Sequence, residues 1–184
     1  MTTPTNIPDQ DLALVEACNK ELPYTTTAYE ELVRKYEPTV LNTCRYLLND
    51  FEDSEEASQD VFIRVFHHLN KFDQKSSFRT WLYRIARNCC YTRMKKQGKH
   101  NILKREYLLN SDLEVSQSDK NDSMNSRMAE ALGKLSLEDR EIITLRFVSE
   151  LSLKEISETM EITLSASKMR LYRSIASLKE ILKQ

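Results

Sequence analysis

Glycine is almost missing from this chain: there are two in 184 residues, with only four prolines. A chain so poor in both breakers cannot supply the turns of a many-stranded β fold. Its long stretches of helix-period apolar residues instead predict an all-α protein. No run approaches the roughly 20 apolar residues that a membrane-spanning helix needs. The opening MTTPTNIPDQDL carries neither a basic segment nor an apolar core, so it does not read as a secretory signal peptide, and a cytoplasmic location without membrane insertion is expected. Cysteine and histidine are also scarce: Cys18, Cys44, Cys89, Cys90, His67, His68 and His100 form no CxxC pair and no metal-ligand spacing, so no metal is expected. The adjacent Cys89 and Cys90 point about 100° apart on a helix. Small apolar helix residues in a reducing compartment are the leading reading of the four thiols, ahead of an oxidant sensor. No glycine-rich phosphate loop and no nucleophile–base pair is visible, and the consecutive Glu55 and Glu56 do not converge on a helix. An enzyme is not expected, nor is a cofactor.

What the chain does have is charge sorted into blocks. The whole molecule is near neutral, at −1, yet residues 1–60 carry 13 acids against 4 bases, while residues 75–105 carry ten bases and no acid. The pattern repeats: residues 135–161 hold 7 acids and 3 bases, and residues 162–184 hold 5 bases and 1 acid. Basic blocks this concentrated suit a polyanion, and the acidic blocks suit a separate, protein-facing surface.

The stretch 98–123 is polar and rich in Ser, Asp and Asn in its second half, which reads as a flexible linker between two small helical domains, 1–97 and 124–184. Periodicity predicts helices near 9–19, 27–48, 53–69 and 78–96 in the first, and near 124–134, 137–149, 152–160 and 164–182 in the second. Asp53-Ser-Glu-Glu makes an acidic helix start that suits the macrodipole, and Ser77 is a candidate N-cap. Ser152-Leu-Lys-Glu155 is a capping box, opening a short helix before a tight turn and a longer basic helix, which is helix-turn-helix order.

On a helical wheel over 78–96, Phe78, Leu82, Ile85, Ala86 and Cys89 fall on a core face. Opposite lie Thr80, Arg84, Arg87, Asn88, Tyr91 and Lys95, with Trp81 and Tyr83 at the flanks. Bases hold phosphates, and rings offer stacking surfaces to unpaired nucleotides, so this outward face predicts contact with opened DNA. A solvated basic face with boundary aromatics is the competing reading, and Trp81 itself reads as half-buried packing. On the last helix, Leu171, Ile175, Leu178 and Leu182 form the inward stripe. Ser165, Ala166, Met169, Tyr172, Arg173 and Ala176 point away from it. In a helix-turn-helix its first half enters the major groove. Arg173 suits a bidentate contact to guanine, Lys168 and Arg170 suit phosphates, and Thr163 or Ser165 sits where a helix N-terminus meets a phosphate.

Four motifs stand in order: Asp53-Ser-Glu-Glu-Ala-Ser-Gln-Asp-Val-Phe-Ile-Arg64, Phe78-Arg-Thr-Trp-Leu-Tyr-Arg-Ile-Ala-Arg-Asn88, Ala131-Leu-Gly-Lys-Leu-Ser-Leu-Glu-Asp-Arg140 and Leu151-Ser-Leu-Lys-Glu-Ile156. In this spacing the chain resembles the extracytoplasmic-function class of bacterial sigma-70 RNA polymerase sigma factors, nearly throughout outside the linker. The resemblance implies two modules, region 2 and region 4, with no enzyme activity of their own. It implies core RNA polymerase and promoter DNA as partners, an anti-sigma factor as a further one, and a role in a stress or envelope response. By the resemblance, Asp53, Glu56, Gln59, Asp60 and Phe62 dock on polymerase. The segment 71–96 recognises and melts the −10 element, with Lys71, Phe72, Ser76 and Ser77 in the base-trapping loop beside Thr80, Trp81, Tyr83, Arg84, Arg87, Asn88, Tyr91 and Lys95. The last helix reads the −35 element with Thr163, Ser165, Lys168, Met169, Arg170, Tyr172 and Arg173. The chain departs from the family where Glu150 and Glu161 replace common glycines and where Ser165-Ala-Ser167 replaces a GTV triplet. A left-handed backbone at Glu161 is then expected to cost about 1 kcal/mol. The competing function is a helix-turn-helix regulator whose first unit serves dimerisation or sensing, and behind it a partner-binding helical adaptor. Neither needs both an acidic 53–60 helix start and an aromatic-basic helix after it.

Overall fold

The computed structural model describes residues 11–108 and 123–183, with side chains over 11–96 and 127–183. Among these residues there are helices and no strands: α1 (Leu12–Glu21), α2 (Thr27–Leu48), α3 (Phe51–His68), a 3-10 turn over Leu69–Lys71, α4 (Phe78–Leu108), α5 (Ser123–Gly133), α6 (Leu137–Phe147), α7 (Leu153–Met160) and α8 (Leu164–Lys183). Most of the predicted linker, residues 109–122, lies outside the described residues.

Local chemistry sets the ends of these helices. Asn49 closes α2 in the left-handed region (φ 55°), which Asn tolerates, and Asp50 at once caps α3 by accepting from the Asp53 amide at 2.8 Å. That two-residue hinge starts the acidic helix two residues earlier than the sequence alone suggests. Ser77 caps α4 as expected, accepting from the Thr80 amide at 3.1 Å. Helix α4 continues past 96, the end read from the sequence, because Lys, Gln, Leu and Arg are good helix formers and a single Gly98 costs only about 1 kcal/mol. The capping box of α7 forms in both directions: Ser152 Oγ accepts from the Glu155 amide at 3.2 Å, and Glu155 Oε2 accepts from the Ser152 amide at 2.9 Å. The turns before and after α7 place Glu150 at φ 54° and Glu161 at φ 57°. Both positions where the sequence lacks an expected glycine therefore carry the strained backbone that glycine relieves.

Helices α1 to α4 enclose a first core around Leu32, Val40, Leu47, Val61, Val65, Phe78 and Leu82. Helices α5 to α8 enclose a second around Ile142, Leu145, Leu151, Ile156 and Leu171. The two cores are continuous. Helix α2 meets α6, and α4 meets α7. The buried hydroxyls of Thr43 and Ser149 lie 2.9 Å apart across this seam.

Candidate nucleic-acid interface

The acidic face of α3 is built by residues one turn apart. Asp53, Glu56 and Asp60 all reach Arg93 of α4, at 3.3, 2.6 and 3.0 Å. Burial disfavours the charge on this guanidinium, but hydrogen bonds to the three carboxylates outweigh it and hold its pKa above the ordinary arginine value. Gln59 on the same helix is exposed and Phe62 is half-buried.

Ahead of α4, Lys71 is exposed, Ser76 and Ser77 are half-buried, and Gln74 adopts φ 57°. Phe72 and Phe78 are buried, and Trp81 packs against both, with ring centroids 5.5 and 5.9 Å away. The indole is half-buried packing, as its flank position suggests, and one side of it edges the loop.

The wheel placed the rest of α4 in solvent, and here the fold differs. Thr80 and Tyr83 are buried, with 0% and 1% of their surface exposed. The second unit covers them, and a single-helix wheel carries no information about such a neighbour. Arg79 donates to the Ser149 carbonyl at 2.7 Å, and Arg84 to the Glu158 carbonyl at 2.9 Å. Arg87 Nε donates to Glu141 Oε1, and the Tyr91 hydroxyl donates to Glu141 Oε2 at 2.8 Å. The Arg87 guanidinium also lies 4.7 Å from the Tyr91 ring centroid. Burial, with help from Glu141, pushes the Tyr91 phenol up to about 12. Asn88 and Lys95 remain exposed.

In the second unit α7 and α8 form the helix-turn-helix. Thr163 caps α8, its Oγ1 accepting from the Ala166 amide at 3.1 Å. Ser165, Lys168, Met169, Tyr172 and Arg173 form one exposed face, with Met169 at 59% and Tyr172 at 74% exposure. Arg170, expected at a phosphate, is instead drawn to Glu138 of α6 at 2.9 Å. Ser174 donates to Asp139 at 2.6 Å and locks α8 onto α6.

Sequence reasoning missed Glu141, Arg93 and Arg140. Glu141 had a signal: it heads the run Glu141-Ile-Ile-Thr-Leu145, all of it buried, and an acid on a core-facing run needs a buried cation.

Among the described residues no group of three or more His, Cys, Asp or Glu could hold a metal, and no helix is long and apolar enough to cross a membrane.

Comparison with known proteins agrees with this two-unit division. The Sigma-70 region 2 family matches residues 32–100, and Sigma-70, region 4 matches residues 126–178. The chain is 27% identical over 172 residues to the ECF RNA polymerase sigma factor SigW of Bacillus subtilis (strain 168), covering 85% of this chain and 89% of that one. Among solved structures it is similar to CnrH in complex with the cytosolic domain of CnrY, with a TM-score of 0.70 and 22% identity, over 93% of this chain and 96% of the other. It is similar also to the sigma factor RpoE in complex with the anti-sigma factor NepR from Bartonella quintana, with a TM-score of 0.68 and 21% identity, over 84% and 96%. The acidic helix, the aromatic-basic helix and the helix-turn-helix thus occur in the order of two known modules, and the chain belongs to the extracytoplasmic-function class of the sigma-70 family of RNA polymerase sigma factors.

Proposed function

We propose that this sigma factor grips core RNA polymerase with the acidic face of α3, opens the −10 element with α4 and the loop before it, and reads the −35 element with α8. One observation carries the assignment. The carboxylate-rich helix α3 and helix α4, which has no carboxylate before Glu106, are packed side by side in the first unit, with Arg93 joining them, so an enzyme and a DNA strand can be held by adjacent faces. Asn88, Lys95, Arg84 and Arg87 supply phosphate and base contacts, and Trp81 at the loop edge supplies a ring for an unstacked base. On α8, exposed Arg173 suits a guanine edge, and exposed Met169 and Tyr172 suit thymine methyl groups. The chemistry of RNA synthesis belongs to the polymerase, and this chain acts in the cytoplasm as its specificity subunit rather than as an enzyme. Two similar solved structures are complexes, one of them with an anti-sigma factor. A protein of that kind is the expected negative regulator here, and a stress or envelope response the expected setting.

In vitro transcription from a genomic library with bacterial core polymerase, with and without this protein, tests the reading. New start sites that depend on the protein are expected. If no template yields a transcript while the same core is active with a housekeeping sigma factor, the reading fails.

A further inference from the structure

Arg93 belongs to the basic block of α4, yet its guanidinium reaches the acidic helix α3. Nη1 donates to Asp53 Oδ1 and Glu56 Oε2 at 3.3 and 2.6 Å, and Nη2 donates to Asp60 Oδ2 at 3.0 Å. Its Nε is buried and, among the described residues, has no hydrogen-bond partner. An unpaired buried donor is costly, so the side chain gives up one bond in order to place both terminal nitrogens on the acids.

Burial is uneven across this cluster. The Arg93 side chain is 17% exposed, whereas those of Glu56 and Asp60 are 56% and 48% exposed. A clamp made only for packing would cover its acids as well as its cation. Ion pairs this open to water contribute little to stability. What the pairing fixes is position. Asp53, Glu56 and Asp60 follow one another at three and four residues, over about 10 Å of helix, close enough for like charges to repel. Without a cation between them the carboxylates would spread into separate rotamers. A planar guanidinium holds its donors in a fixed fork, so it sets both the spacing and the direction of the oxygens it engages. It also offsets one of the three negative charges.

We propose that Arg93 is a positioning residue for polymerase docking: it pre-aligns Asp53, Glu56 and Asp60 as one anion row for a cationic surface of the core enzyme. This rests on the reading of α3 as the docking helix. Pre-alignment removes an ordering cost from the bound state, so it acts on dissociation. The charge that Arg93 offsets acts on encounter, because a more negative face draws a cationic partner faster. Loss of Arg93 therefore speeds both association and dissociation, a signature that the loss of a mere strut would not produce.

Full-length variants binding to immobilised bacterial core polymerase, followed by surface plasmon resonance at low and at physiological salt, test it. Arg93→Ala is expected to associate about threefold faster than wild type at low salt, a gain that shrinks at physiological salt. It is expected to dissociate roughly tenfold faster at both. Arg93→Lys keeps the charge without the fork. It is expected to associate as wild type does and still to dissociate several times faster. A variant Arg93→Ala that is folded by circular dichroism and dissociates as slowly as wild type overturns the proposal, as does Arg93→Lys with wild-type dissociation. The lysine variant decides the matter if the alanine variant does not fold. Gln59, exposed beside the row, tests the docking helix itself. Gln59→Arg is expected to weaken core binding about tenfold by setting a cation against a cationic partner. Wild-type kinetics for Gln59→Arg would remove the assignment of α3, whereas weakened binding there with inert Arg93 variants removes only the role of Arg93.

Discussion

Arg140 of α6 reaches out of the second unit and donates to the carbonyl oxygen of Leu47, at 3.0 Å, at the end of α2 in the first. The same guanidinium donates to the Leu132 and Gly133 carbonyls at the end of α5, both at 3.0 Å. One side chain therefore satisfies carbonyls at two helix ends that no intrahelical amide can reach. Burial lowers its pKa, yet arginine stays charged at any ordinary pH. Replacing Arg140 by Ala is expected to lower the unfolding free energy by about 2–3 kcal/mol in urea titrations, since three acceptors lose a charged donor. Arg140→Lys is expected to recover less than half, because an ammonium lacks the planar fork.

Glu161 gives the opposite sign. Its backbone sits at φ 57° and ψ 41° between α7 and α8, a region that costs a side-chain-bearing residue strain. Glu161→Gly is expected to stabilise the protein by about 1 kcal/mol, read as a higher urea midpoint at unchanged slope. No change in midpoint would mean that the turn holds Glu161 without strain.

On α8, the roles proposed for Arg173 and Lys168, a base edge and a phosphate, can be separated by experiment. Arg173→Ala is expected to reduce discrimination between correct and scrambled −35 sites by about 1–3 kcal/mol in holoenzyme binding assays. Lys168→Ala is expected to weaken both sites equally and to flatten the salt dependence. Equal loss from both substitutions on both sites would take base reading away from Arg173.

The thiols are expected to be inert in the folded protein. All four are buried. Burial pushes both the Cys18 and the Cys89 thiol up to about 11, so little thiolate exists at pH 8. The thiol of Cys44, its hydrogen-bond partner, and burial push Cys90 up as well. Iodoacetamide at pH 8 should label none of the four over minutes in buffer and all four in urea, counted by intact mass. Rapid labelling of native Cys89 or Cys90 would reopen the oxidant-sensing reading.

Much of this fold was legible because its signals are local. Helix α2 begins and ends where periodicity puts it, at Thr27 and Leu48. The Ser152–Glu155 box and the Ser77 cap lie within four residues of their partners. The missing glycine at Glu161 marked a left-handed turn for the same reason, and Glu150, the other departure, proves to hold the same backbone. The burial of Thr80 and Tyr83 was not legible, because the covering groups stand some 70 residues away: Arg79 meets Ser149, and Arg84 meets Glu158. Nor was the pairing of Arg170 with Glu138, which needs the packing of α8 on α6. A wheel sorts residues by angle, and angle alone does not distinguish water from a second domain. The exposed face of α8 was legible because nothing covers Met169, Tyr172 or Arg173 among the described residues.

Arg93 ties the helix assigned to the polymerase to the helix assigned to the DNA strand, and it does so through three carboxylates spread over two turns of α3. Such a triple fastening leaves little slack between them. On the proposed assignment of α3 to the enzyme and α4 to the strand, a shift of the anchored helix would be passed through this one guanidinium to the helix that pries the strand open.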